Sequence, residues 1–144
     1  MKKKIVGGPG KETLITKTGR ILDITGWDPA NFCEQCALVD AEARPCAAID
    51  VPLNRVKVAN VILKDFGLLS TITPLSHVAL FHVFKFPHLK WVIAEIAKAE
   101  PFSLWQSWLE GHLYGYSEHT IAGYLTALAK DKKREKRSQK SKKK

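Results

Sequence analysis

Three cysteines are the residues best spaced for chemistry. Cys33-x-x-Cys36 can place two thiolates on one metal, and Cys46 lies near enough in sequence to be a third ligand. A tetrahedral structural zinc site needs a fourth donor. No His or Cys occurs between residues 1 and 32 or between 47 and 76, which leaves Asp40, Asp50, the distant His77 or water. Two readings stay open: free thiols in a small loop-rich core, and a structural zinc site on Cys33, Cys36 and Cys46. The missing ligand favours the first, and no other cofactor is expected. A thioredoxin-like redox pair would need a βαβ setting, which does not surround these cysteines.

The remaining chemistry-bearing residues do not converge. His77 and His82 are five apart and do not share a helical face, while His88, His112 and His119 are scattered. Ile5 to Lys11 superficially suggests a phosphate loop, but Ile5 stands where the first glycine of that motif belongs and Glu12 where its hydroxyl belongs. A turn over Gly7-Gly8-Pro9-Gly10 is the better reading. No nucleophile, base and carboxylate are grouped at motif level, so binding is expected rather than catalysis.

Charge placement is more informative than its sum. The chain of 144 residues carries a net +9, of which Lys130 to Lys144 supply ten Lys/Arg against Asp131 and Glu135, a net +8. Lys2, Lys3 and Lys4 add three, and residues 5–129 hold ten basic and twelve acidic groups. A basic tail therefore follows a slightly acidic body, instead of a broad basic face. No apolar run reaches the roughly 18 residues of a membrane helix, and the N-terminus lacks the apolar core of a signal peptide. The expectation is a soluble cytoplasmic protein, nucleoid-associated, or nuclear in a eukaryote, with no membrane partner and an oligomeric state left open.

The elements that must position these residues follow from periodicity and punctuation. Lys3 to Val6, Thr13 to Thr16 and Arg20 to Ile24 read as short strands, the last two joined as a hairpin through Lys17-Thr18-Gly19. Asp50 and Pro52 suggest a helix start for Leu53, Val56, Asn60, Leu63 and Phe66, which Gly67 stops. Thr73-Pro74 then reads as the opening of a buried helix through Leu75, Val78, Ala79, His82 and Phe84. Leu89 to Ala99 is another helix, and Pro101 opens one carrying Leu104, Trp105, Trp108 and Leu109. Trp91, Trp105, Trp108, Phe81, Phe84, Phe86 and Phe102 are expected in the core.

The fold class expected is α+β, mostly α: a small N-terminal antiparallel sheet, then a bundle of four to five helices, then a disordered basic tail. Residues 1–49 would form the β-rich part with its cysteine loop, 50–129 the helical domain, and 130–144 the tail.

The last two helices carry the most specific pattern. Gly111 and Gly115 are four apart, Tyr114 and Tyr116 flank the second glycine, Ser117 can cap the following helix, and Ile121, Tyr124, Leu125 and Leu128 give that helix a buried side. Over residues 107–128 this resembles the helix-turn-helix superfamily, in which a small residue sits where two steeply crossing helices meet and a glycine makes the turn. The resemblance implies DNA contact through the second helix. The residues it would present are Ser117, His119, Thr120, Gly123 and Thr126, with Glu118 and Ala122 among them.

Base readout favours Arg, Lys, Asn or Gln, none of which stands at those positions. Lys130, Lys132, Lys133, Arg134, Lys136 and Arg137 continue directly from the second helix and would supply affinity for phosphates. The sequence thus suggests a small DNA- or RNA-binding protein. A protein-binding module that uses the aromatic helices against another protein is the alternative.

Overall fold

The structure is a computed structural model that describes residues 2–4, as backbone, and 12–142. The turn expected at Gly7-Gly8-Pro9-Gly10 and the segment weighed as a phosphate loop lie outside the described residues. Two compact units are present, Met1–Trp91 and Val92–Lys144. The class is α+β, with two three-stranded antiparallel sheets and, among the described residues, five α-helices.

The first sheet is the one expected from the sequence. Strands β1 (Lys2–Lys4), β2 (Thr13–Ile15) and β3 (Ile21–Asp23) pair antiparallel in chain order. Gly19 takes φ 88° in the β2–β3 turn, a conformation that an L side chain resists. The Thr18 hydroxyl donates to Asp65 Oδ1 at 2.7 Å, and the Arg55 guanidinium donates to the carbonyls of Asp23 and Thr25. Leu14 and Ile24 pass into the core of the first unit.

The second sheet corrects the reading of residues 46–86. Strands β4 (Cys46–Pro52), β5 (Leu69–Pro74) and β6 (Val78–Phe84) are ordered β4-β6-β5, with β6 antiparallel to both neighbours. Asp50 and Pro52 thus belong to a strand and not to a helix start, and Thr73-Pro74 closes β5 instead of capping a helix. Residues alternate at the strand period. Ala47, Ile49 and Val51 are buried, and face Val83, Phe81 and Ala79 in register, while Ala48 and Asp50 are exposed. Val78 to Phe84 is almost continuously apolar, a pattern that suits a buried strand or a buried helix equally. Pro74 costs the sheet little because β5 is an edge.

Helix α2 (Val56–Phe66) crosses from β4 to β5, preceded by a 3-10 turn at Leu53–Arg55. Its inward residues Ala59, Ile62 and Leu63 follow the helical spacing. Its stop is the one expected: Gly67 takes φ 70°, and the Leu68 N–H closes the end by donating to the Leu63 carbonyl at 3.0 Å. Helix α1 (Ala30–Asp40) replaces the expected cysteine loop. The Asp28 carboxylate starts it by accepting from the Ala30 N–H at 3.0 Å. Both helices pack on the sheet. Phe32 from α1 meets Phe81 from β6 edge to face at 5.7 Å, at the centre of a core that excludes water from both rings. Two helices therefore cover a sheet, where a helical bundle was expected, and the anticipated boundary at residues 49 and 50 falls inside β4.

Helix α3 (Leu89–Lys98) forms as expected, and the division between the units falls in its first turn. Helix α4 (Leu104–Leu113) starts three residues later than Pro101 suggests. Ser103 caps it by accepting from the Gln106 N–H at 3.1 Å. Helix α5 (Glu118–Lys142) runs 25 residues and contains nearly all of the stretch expected to be a disordered tail. The aromatic expectation holds for Phe81 and Phe84. It fails for Trp91, Phe102 and Trp105, which are mostly exposed, and for Phe86 and Trp108, which are partly so.

Candidate nucleic-acid interface

The cysteines can be set aside first. Cys33 and Cys36 lie on α1 and Cys46 on β4, and among the described residues no group of three His, Cys, Asp or Glu is placed to hold a metal. Cys36 and Cys46 are completely buried among apolar side chains. Burial pushes the Cys36 thiol up to about 12, helped by the neighbouring Cys33, and burial likewise pushes Cys46 up to about 12. Among the described residues Cys33, Cys36 and Cys46 are thus not gathered as a ligand set: Cys36 and Cys46 are core thiols, and Cys33 is partly buried at the edge of the core.

An alkylation experiment checks this. At pH 8 a thiol with such a value is ionised to about one part in ten thousand. Iodoacetamide is expected to leave Cys36 and Cys46 unmodified in the folded chain and to label all three cysteines in denaturant, as read by intact mass.

The second unit concentrates the surface features. Gly111 is buried where α4 meets α5, and a Cβ there would stand 2.7 Å from Ile121 Cγ1 and 3.0 Å from its Cδ1. The helices approach so closely only because residue 111 has no side chain. Gly115 takes φ 76° in the turn, and the Tyr116 N–H donates back to the Gly111 carbonyl at 2.9 Å. Ser117 Oγ accepts from the Thr120 N–H at 3.2 Å and donates to the Thr120 hydroxyl, which opens α5. Glu118, the first residue of α5, brings Oε1 to 3.0 Å from His112 Nε2. The approach is off axis for a hydrogen bond and attractive when the imidazole is charged.

Away from Gly111 the helices diverge. Leu104 faces Leu125, Ala129, Lys130 and Lys133 across an open wedge of about 400 Å³. Closer to the turn, on another flank of α5, a cavity of about 360 Å³ is walled by tyrosines.

One face of α5 is an uninterrupted stripe, whose Lys130 and Lys133 also border the wedge beside Leu104. His119, Gly123, Thr126, Lys130, Lys133, Arg134, Arg137 and Lys140 succeed one another at steps of three and four residues, with Arg134 adjacent to Lys133, and all are exposed. The buried Ile121 and half-buried Leu125 and Leu128 occupy the opposite side. Asp131 and Glu135 fall outside the stripe, so its lower half presents five cations without an intervening carboxylate. Among the described residues none of the five has an ion-pair partner.

The residues expected from the sequence to contact nucleic acid divide along this geometry. Lys130, Lys133, Arg134 and Arg137 are brought together. Lys132 is half-buried on a different side of the helix, and Lys136 lies beside Arg137 and Lys140 at the edge of the stripe. Lys140 belongs to the stripe as well, beyond Arg137, where the candidates named from the sequence end. Ser117 and Thr120 are occupied with each other at the helix start, and Thr126 donates its hydroxyl to the Ala122 carbonyl at 2.8 Å. His119 is exposed, and a Cβ at Gly123 would meet only open space, so Gly123 leaves bare backbone on the stripe.

Comparison with protein-family models, with curated proteins and with solved structures finds no match.

Proposed function

We propose that the chain binds nucleic acid, with duplex DNA as the leading target, and that α5 makes the contact with α4 as its brace. The observation that carries this reading is the stripe Lys130, Lys133, Arg134, Arg137 and Lys140, in helical register with the exposed His119, Gly123 and Thr126. Residues 130–142 of the helix extend about 20 Å. Duplex DNA presents a phosphate about every 1.7 Å of its axis, so a straight row of cations can follow a phosphate backbone and release its counterions.

The Gly111–Ile121 approach, the Gly115 turn and the Ser117 cap support a helix-turn-helix-like reading of α4 and α5. The upper stripe holds no Arg, Lys, Asn or Gln, and Glu118 at the start of α5 repels phosphate. Binding is accordingly expected to be electrostatic and nearly independent of sequence, as in an accessory protein and unlike a selective reader.

Fluorescence anisotropy of the full chain against a labelled random duplex of about 20 base pairs at ~50 mM salt tests this. Saturable binding is expected. Absence of binding to this duplex sinks the proposal in its DNA form, and preference for single-stranded RNA would move the target to RNA.

A second reading rests on Phe102, Trp105 and Trp108, which are exposed around the start of α4, the two indoles stacked at 5.5 Å. Such a surface suits a protein partner. Retention of one specific protein after nuclease treatment, lost in Trp105→Ser, would favour it.

A further inference from the structure

The cavity beside the α4–α5 turn differs chemically from the stripe. Its walls include the rings of Tyr114, Tyr116 and Tyr124, with Gly111 at its base and Glu110 the only ionisable carboxyl among its lining residues. No Lys, Arg or His lines it. Among the described residues the Glu110 carboxyl has no hydrogen-bond or ion-pair partner, although it is half-buried. Partial burial raises its pKa. An unpaired carboxylate withdrawn from water is a cost that a bound cation removes. Aromatic faces carry negative potential and attract the same charge.

We propose that this cavity binds a small organic cation, an alkylammonium or guanidinium compound, with Glu110 as counter-ion and Tyr114, Tyr116 and Tyr124 as its aromatic walls. A volume of about 360 Å³ holds such a group with a short alkyl chain. Anions are excluded by the carboxylate and the ring faces, so the cavity and the basic stripe take ligands of opposite sign. The assignment does not depend on nucleic-acid binding, because it uses residues of another flank of α5.

Titration of the full chain with agmatine, followed by the aromatic proton shifts of the tyrosines, is the test. Agmatine carries both cationic groups, and 1-butanol serves as the neutral control. Saturable shifts at Tyr114, Tyr116 and Tyr124 are expected with agmatine and none with 1-butanol. Glu110→Gln is expected to weaken binding about tenfold. Tyr116 is exposed, so Tyr116→Phe and Tyr116→Leu should both fold. The first is expected to retain affinity through its ring and the second to lose it. The inference is overturned by equal binding of 1-butanol, by unchanged affinity in Glu110→Gln, by equal affinities of the Phe and Leu variants, or by a lysine-rich peptide binding where agmatine does not.

Discussion

Gly111→Val is expected to destabilise the α4–α5 unit by about 1–3 kcal/mol, the cost of forcing extra methyl groups into a packed contact. The reason is local. The three nearest atoms that a Cβ at residue 111 would meet all belong to Ile121, the closest at 2.7 Å, so α4 and α5 must separate or Ile121 must leave its site. Ile121 is buried, and its displacement would expose the contact that holds the two helices.

Gly111→Ala sharpens the test because two effects oppose. Alanine in a helix interior is favoured over glycine by about 1 kcal/mol, whereas the contact with Ile121 costs more than that. Net destabilisation is expected in the native background. In an Ile121→Ala background the three contacting atoms are gone, and the same Gly111→Ala change should become stabilising. Thermal melting followed by circular dichroism reads both signs. If Gly111→Ala stabilises the native background, the close approach does not hold the unit together.

Replacing all five stripe cations, Lys130, Lys133, Arg134, Arg137 and Lys140, with glutamine is expected to weaken duplex binding at least a hundredfold at ~50 mM salt. Each neutralised phosphate contributes about 0.9 to the slope of log affinity against log salt, so five contacts give a slope near −4.5. The variant should approach a flat dependence. These side chains are exposed and have no hydrogen-bond or ion-pair partner among the described residues, so the substitutions remove no internal polar contact. Lys133 and Arg134 stand three and four residues from Lys130 and Arg137, spacings at which like charges repel on a helix. The glutamine variant is therefore expected to keep or raise the helicity of α5. A loss of affinity with helicity retained assigns the effect to charge.

How much of this was legible depends on how locally each feature is encoded. Gly19, Gly67 and Gly115 were readable as turn residues because only glycine takes positive φ at low cost, and all three do so. Ser117 was readable as a cap, and Gly111 as the small residue at a helix contact. These features are decided within a few residues. The β4–β6 ladder is not: it pairs Cys46 with Phe84 and Pro52 with Val78, and nothing near Val78 announces a partner so far back in the chain. Without that partner, an apolar run beside Thr73-Pro74 resembles a buried helix.

The error over the tail has another cause. High charge density suggests disorder, yet Lys130, Lys133, Arg134 and Arg137 carry the helical spacing that continues from Gly123 and Thr126. The cysteines misled through spacing alone. Cys33 and Cys36 are three apart because one face of α1 meets the core, and a metal motif asks for the same spacing.

The claim most exposed to test is that the face of α5 matters and not merely its charge. Arg137→Gln removes one stripe cation, and Lys132→Gln removes one from another side of the same helix, leaving equal net charge. The salt dependence of duplex binding should be measured for both. The slope is expected to shrink by about 0.9 in the first variant and to stay unchanged in the second. Equal slopes in the two would contradict the account, because binding would then follow total charge and the stripe would have no special part in it.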